Sequence, residues 1–216
     1  MTKKLRDGLI DPKEIPHEDV PGYMADTYRG YVLSIKERIE VFERNQLIDF
    51  GYRELNEEFF ALQCRLIMEL IAFMVSTFHQ SSTQPIGKSK RTENNPLKII
   101  ASINQDFSWP RPTDPKFEYP IKENLEVSIP HITFPICDYE KFKIIHGKLG
   151  SILHEQQRPR IEKRTITLEE IFNTLKQLKL LVFKHLIVDK QGNGWYIDAT
   201  MKEQPRGIGI IRLKLV

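Results

Sequence analysis

Between Phe59 and Val75 the chain reads Phe-Phe-Ala-Leu-Gln-Cys-Arg-Leu-Ile-Met-Glu-Leu-Ile-Ala-Phe-Met-Val. At helical spacing these apolar side chains point in every direction, and a helix that is apolar all round must be enclosed by other elements. The pattern predicts a helix over residues 52–78 at the centre of the fold, and the rest of the chain has to supply its walls. Its most apolar run, Leu66 to Phe78, is broken by Glu69 and is expected to be too short to span a bilayer.

Three further segments have the period of a helix with one buried stripe. Over residues 24–48 the stripe is Tyr28, Val32, Ile35, Ile39 and Phe42, with charged residues filling the opposite face. Asp138 can cap a helix over 138–156 whose stripe is Phe142, Ile145, Leu149, Ile152 and Leu153. Thr167-Leu-Glu-Glu170 has the form of a capping box, in which the threonine hydroxyl and the glutamate carboxylate satisfy reciprocal backbone donors, and opens a helix over 167–184. A short helix is expected from Asn95 and Pro96 to about Gln105.

Between these lie irregular parts. Residues 1–23, with Pro12, Pro16, Pro21, Gly8 and Gly22, are expected to form an irregular arm. Gly51 marks a turn, and the polar stretch from Gln80 to Asn95, containing Lys88, Lys90 and Arg91, is expected to be a surface loop. Residues 107–137 hold six prolines and the alternating run Leu125 to Phe134, which suits edge strands or a meander and not a large sheet. After residue 185 the texture turns to β: Leu186 to Asp189, a turn at Gln191-Gly-Asn-Gly194, Trp195 to Ala199, and a further strand over 207–216. The expected fold class is therefore α+β, a four- to five-helix bundle over residues 24–184 with a proline-rich insertion, and a small antiparallel sheet over 185–216 packed on it.

Composition narrows the function classes little. The 216 residues are 40% hydrophobic and 28% charged, which excludes disorder throughout. The formal charge of +3 hides an asymmetry: from Gln156 onward there are 12 basic and 6 acidic residues, against 20 and 23 before it. The two cysteines, Cys64 and Cys137, are far apart in apolar surroundings and read as reduced, buried side chains. The polar N-terminus lacks the apolar core of a signal peptide, so a cytoplasmic protein without a membrane partner is expected. No phosphate-binding glycine loop, HExxH or CxxC occurs, and the six histidines show no metal-ligand spacing, so neither metal nor cofactor is expected.

Three constellations stand out. Arg65 and Glu69 lie one turn apart in the most apolar helix, where either charge would be costly unless paired, and read first as a polar clasp against a neighbouring helix. Gly147, Gly150, Ser151 and His154 fall along one strip of the 138–156 helix; two glycines there imply close approach of another backbone, of a partner surface or of a ligand, with His154 at the end of the strip. Arg158, Arg160, Lys163 and Arg164 form a basic tract just after it, able to hold phosphates although no aromatic residue is interleaved.

These segments carry a resemblance. Leu62 to Phe73, Ser108-Trp-Pro-Arg-Pro112, Ile145 to His154 and the helix ending Lys184-His-Leu-Ile187 look like a group of prokaryotic proteins with no assigned activity, over about residues 50–200. More distantly, the helical core resembles HEPN domains, antiparallel helical bundles of prokaryotic toxin–antitoxin and phage-defence systems, many of them dimeric, metal-independent ribonucleases. Active members place Arg, four to six residues, then His on a late helix. Here His154 matches the histidine and Lys148 stands for the arginine, followed by Leu149 where a polar residue is usual. The resemblance implies a ribonuclease or an RNA-binding relative, a homodimer, and a site in which His154 moves the proton of a ribose hydroxyl while Lys148 or Arg158 faces the phosphate. The reading of the residues alone leaves a second function open: a non-catalytic interaction module assembled through Gly147, Gly150 and His154.

Overall fold

A computed structural model of the chain describes residues 20–45, 50–81, 98, 109–113, 138–153, 166–188, 193–200 and 208–214. Among these residues four helices and four strands run in the order α1 (Val20–Arg44), α2 (Arg53–Ser81), β1 (Arg111–Pro112), α3 (Tyr139–Leu153), α4 (Leu168–Phe183), β2 (Lys184–Val188), β3 (Asn193–Asp198) and β4 (Gly209–Lys214). The α+β reading holds: the protein is mainly helical, with a small antiparallel sheet.

The α1 stripe reads as its spacing predicts, since Tyr28, Val32, Ile35, Ile39 and Phe42 are all fully buried. Its start differs from expectation. The irregular arm assigned to residues 1–23 gives way to helix already at Val20, and Pro21 and Gly22 belong to the first turn. A proline is tolerated there because the amide hydrogen it lacks would have had no partner inside the helix. The helix also ends before residue 48, with the Asn45 N–H donating to the carbonyls of Val41 and Phe42, both at 3.1 Å. Gly51, at φ +75°, turns the chain into α2, a conformation that costs a residue without Cβ least.

Helix α2 is the central element. Phe60, Ala61, Cys64, Ile67, Met68, Ile71, Ala72, Met74 and Val75 are buried against α1, α3 and α4. By length and composition Glu54–Thr77 is long and apolar enough to cross a membrane, contrary to the expectation drawn from its shorter apolar run, and more than half of that window is buried inside the protein. At its N-terminal end Phe60 packs on Phe42 and Phe172 with ring centroids 4.8 and 5.1 Å apart, tying three helices together. Burial pushes the Cys64 thiol up, and its Sγ lies 3.6 Å from the Ile171 carbonyl, so it behaves as the expected buried reduced side chain.

The capping box is formed in full: Glu170 N–H donates to Thr167 Oγ1 at 3.2 Å, and Thr167 N–H donates to Glu170 Oε2 at 2.6 Å. Helix α4 passes without a loop into β2, because Lys184 is already extended at φ −141° and ψ 109°. The sheet has the order β1-β2-β3-β4, every pair antiparallel, with Lys184 opposite Asp198 and Asp198 opposite Gly209. The expected hairpin is therefore present, shifted by one or two residues. From the proline-rich segment the two residues of β1 pair with His185 and Leu186 at the edge, where Pro112 is admissible. Trp109 pins this strand to α3, its ring 4.9 Å from Phe142 and 5.4 Å from Tyr139. Ile187, Ile197, Ala199 and Ile208 join the helical residues in one hydrophobic cluster, so sheet and bundle share a core. The alternating run 125–134, the 88–91 loop, Cys137 and, apart from Lys98, the short helix expected at 95–105 lie outside the described residues.

Candidate functional site

Helices α2 and α3 meet in a polar cluster inside an otherwise apolar contact. On α2, Arg65 and Glu69 are four residues apart, and Arg65 Nε–H donates to Glu69 Oε1 at 3.0 Å. On α3, His146 and Gly150 have the same spacing. His146 Nε2 lies 3.3 Å from the same Glu69 oxygen, and a Cβ added to Gly150 would come within 3.0 Å of Arg65 Nη1. Glu69 thus faces His146 while Arg65 faces Gly150, two rungs whose opposite sequence order makes the helices antiparallel at this point. Gly150 is small because a guanidinium occupies the space beside it.

The protonation pattern follows from the partners. A carboxylate oxygen can only accept, so the hydrogen between it and the imidazole sits on Nε2, and the lone pair of the neutral ring is on Nδ1. Among the described residues Nδ1 has no hydrogen-bond partner. Burial lowers the His146 pKa below the ordinary histidine value; the hydrogen bond to Glu69 opposes this, and the Arg65 charge adds to it. At neutral pH the ring is an uncharged base held in one tautomer by a carboxylate. Arg65 commits only Nε–H to a partner among the described residues, leaving its terminal N–H groups unengaged. The cluster remains open to water: the Arg65 and Glu69 side chains are each 27% exposed and His146 12%. A positioned neutral base next to a fixed cation can deprotonate a hydroxyl and stabilise an anionic group at the same place.

Of the residues singled out from sequence, Arg65, Glu69 and Gly150 are brought together. Gly147 is not part of this contact: it is exposed, and a Cβ there would meet nothing within 4 Å. Lys148 is exposed as well, and its charge acts on Glu170 at the start of α4, not on His146. Ser151 is exposed and donates to the Lys148 carbonyl at 2.7 Å. His154, Arg158, Arg160, Lys163 and Arg164 lie outside the described residues.

Two histidines with distinct surroundings escaped the sequence reading. His146 carried a usable signal, since it stands one turn before Gly150 just as Arg65 stands one turn before Glu69. His185 carried none. It is fully buried, accepts from Tyr28 Oη through Nε2 at 2.5 Å and donates from Nδ1 to the Val182 carbonyl at 2.9 Å. Burial holds its pKa down at about 4, and with both nitrogens engaged it is structural.

Among the described residues no group of three or more His, Cys, Asp or Glu side chains is placed to hold a metal ion. A shallow depression of about 260 Å³ between α1 and α2, lined by Ser34, Glu37, Arg38, Val41 and Gln63, holds neither histidine nor cysteine. No family model, curated protein or solved structure matches the chain.

Proposed function

We propose that the chain is a HEPN-like, RNA-acting protein of a prokaryotic toxin or phage-defence system, working in the cytoplasm as a metal-independent ribonuclease. The observation that supports this best is the α2–α3 cluster, where a neutral histidine, a carboxylate and a guanidinium with spare donors share one partly open site. Cleaving a phosphodiester without a metal needs a base that is neutral at the working pH and a cation for the phosphate, and His146 and Arg65 are candidates for the two. The C-terminal excess of basic residues supplies a further, sequence-independent attraction for a polyanion. The test is incubation of the full chain with total RNA and with tRNA in chelator, beside His154→Ala. Fragments ending in a cyclic phosphate support the reading. Intact RNA together with no retention of RNA in a gel-shift assay overturns it, and equal cleavage by His154→Ala removes the role that the HEPN resemblance implies for His154, together with Lys148 and Arg158 as its phosphate partners.

One observation favours the second reading, an interaction module. Ile144 is 59% exposed, and with Gly147, Lys148 and Ser151 it forms an outward strip of α3 at helical spacing, combining an apolar side chain with small neighbours. In that reading Arg65 and Glu69 are a clasp inside one chain, and a second copy covers the strip.

A further inference from the structure

Resting on the ribonuclease reading, we propose that His146, through Nδ1, is the group that takes the proton of the attacking hydroxyl, that Arg65 holds the scissile phosphate, and that Glu69 is the positioning residue of the pair. Three features of the cluster carry this assignment. Glu69 Oε1 receives both Arg65 Nε–H and His146 Nε2–H, which fixes the imidazole tautomer and turns its lone pair to Nδ1. Among the described residues Arg65 is anchored at one nitrogen only, so its planar fork retains donors for a phosphate. A Cβ on Gly150 would come within 3.0 Å of Arg65 Nη1, so the guanidinium end of Arg65 lies against α3 one turn from His146. A clasp needed for packing alone would be served by the Arg65–Glu69 pair; it would not need a third, titratable member whose second nitrogen has no partner among the described residues.

The step balances without a metal or an oxidant. The 2′-hydroxyl hydrogen passes to His146 Nδ1 as the O2′–P bond forms, and the P–O5′ bond breaks. The departing 5′ oxygen takes a proton from water, and the hydroxide so formed is neutralised by the imidazolium, which restores the free base. The products are a 2′,3′-cyclic phosphate and a 5′-hydroxyl. Among the described residues the charged groups facing the ring are Arg65 and Glu69, both from α2.

The experiment measures cleavage of a labelled oligoribonucleotide in chelator, as a function of pH, by the wild type, His146→Ala, His146→Gln, Glu69→Gln and His154→Ala, with a thermal melt of each. Loss of a general base costs about 100-fold or more in kcat, and that loss is expected in both His146 variants with KM little changed. Glu69→Gln is expected to lower kcat and to move the acid limb of the pH–rate profile to lower pH, because it removes the interactions that raise the His146 pKa; a merely structural role would leave the limb in place. Wild-type rates in a folded His146 variant, or an unmoved limb in Glu69→Gln, overturn the assignment while leaving the ribonuclease reading intact. An inert wild type overturns both. If the His146 variants do not fold, the limb in Glu69→Gln decides.

Discussion

His185 has no exposed surface, and each ring nitrogen is committed, one to Tyr28 and one to the Val182 carbonyl. Protonating it would place a charge in the core and turn an acceptor into a donor opposite a hydroxyl, and its pKa is accordingly held at about 4. The unfolded chain binds a proton near pH 6.5 while the folded chain does not until about pH 4, so the unfolded state holds more protons in that window and stability falls as pH drops through it. The shift corresponds to roughly 3 kcal/mol. Urea titrations between pH 7 and 4 should show a decline of that order, and His185→Gln, which keeps a polar partner for Tyr28 but does not titrate, should flatten it whatever its own stability at pH 7. An unchanged slope in the variant would refute the assignment. His146 contributes in the same direction, for the same leading cause. The spacing of His146 to Gly150 hinted at its place beside α2, but nothing in the sequence marked His185, and only the packing around each ring decides which is a closed structural group and which keeps an open nitrogen.

Helices α1 to α4 were legible as elements because one-sided burial imposes a period on the sequence, and the period survives whatever the partner is. The α1 stripe and the Thr167–Glu170 box are local enough to be read letter by letter, and each appears as its residues require. Boundaries were less secure: Pro21 and Gly22 resemble loop residues, yet a first helical turn accepts them. The box gives an element-level prediction. Thr167→Ala removes the acceptor of the Glu170 N–H at an exposed helix start, while the backbone N–H of residue 167 can still donate to the Glu170 carboxylate; the loss should cost about 1 kcal/mol. Equilibrium unfolding would show the denaturant midpoint falling at constant slope; an unchanged midpoint would mean that α4 is held by packing alone. The strip of glycines on α3 was legible as a pattern but not as two different situations. Gly150 is filled by Arg65, whereas Gly147 is open to solvent, and this difference lies entirely in what the neighbouring helix brings up.

At the scale of the whole molecule, bundle and sheet share one hydrophobic cluster, and α3 shows two faces with different content. Its inner face carries Phe142, Leu149, Ile152 and the polar rungs to α2; its outer face carries Ile144, Gly147, Lys148 and Ser151. If the outer face meets a second copy of the chain, light scattering coupled to size exclusion should give a dimer for the wild type and a monomer for Ile144→Asp, with the melting temperature of the variant close to that of the monomeric fold. A monomeric wild type, or a variant that stays dimeric, would remove this reading. Gly150→Leu is no substitute for that experiment, because its side chain would strike Arg65 inside the same chain.

By itself the sequence determined the helices, the capped start of α4, the presence of a C-terminal antiparallel sheet and the pairing of Arg65 with Glu69. Each of these follows from interactions between residues close in the chain, or from a burial pattern that any partner would impose. Tertiary structure alone decided that Glu69 also receives His146, that Gly150 makes room for Arg65, that Gly147 does not take part and that His185 is sealed against Tyr28. Those contacts join residues 77 and 157 positions apart in the chain, and which of many polar side chains meet across such distances is set by how the apolar faces dock, not by any local spacing.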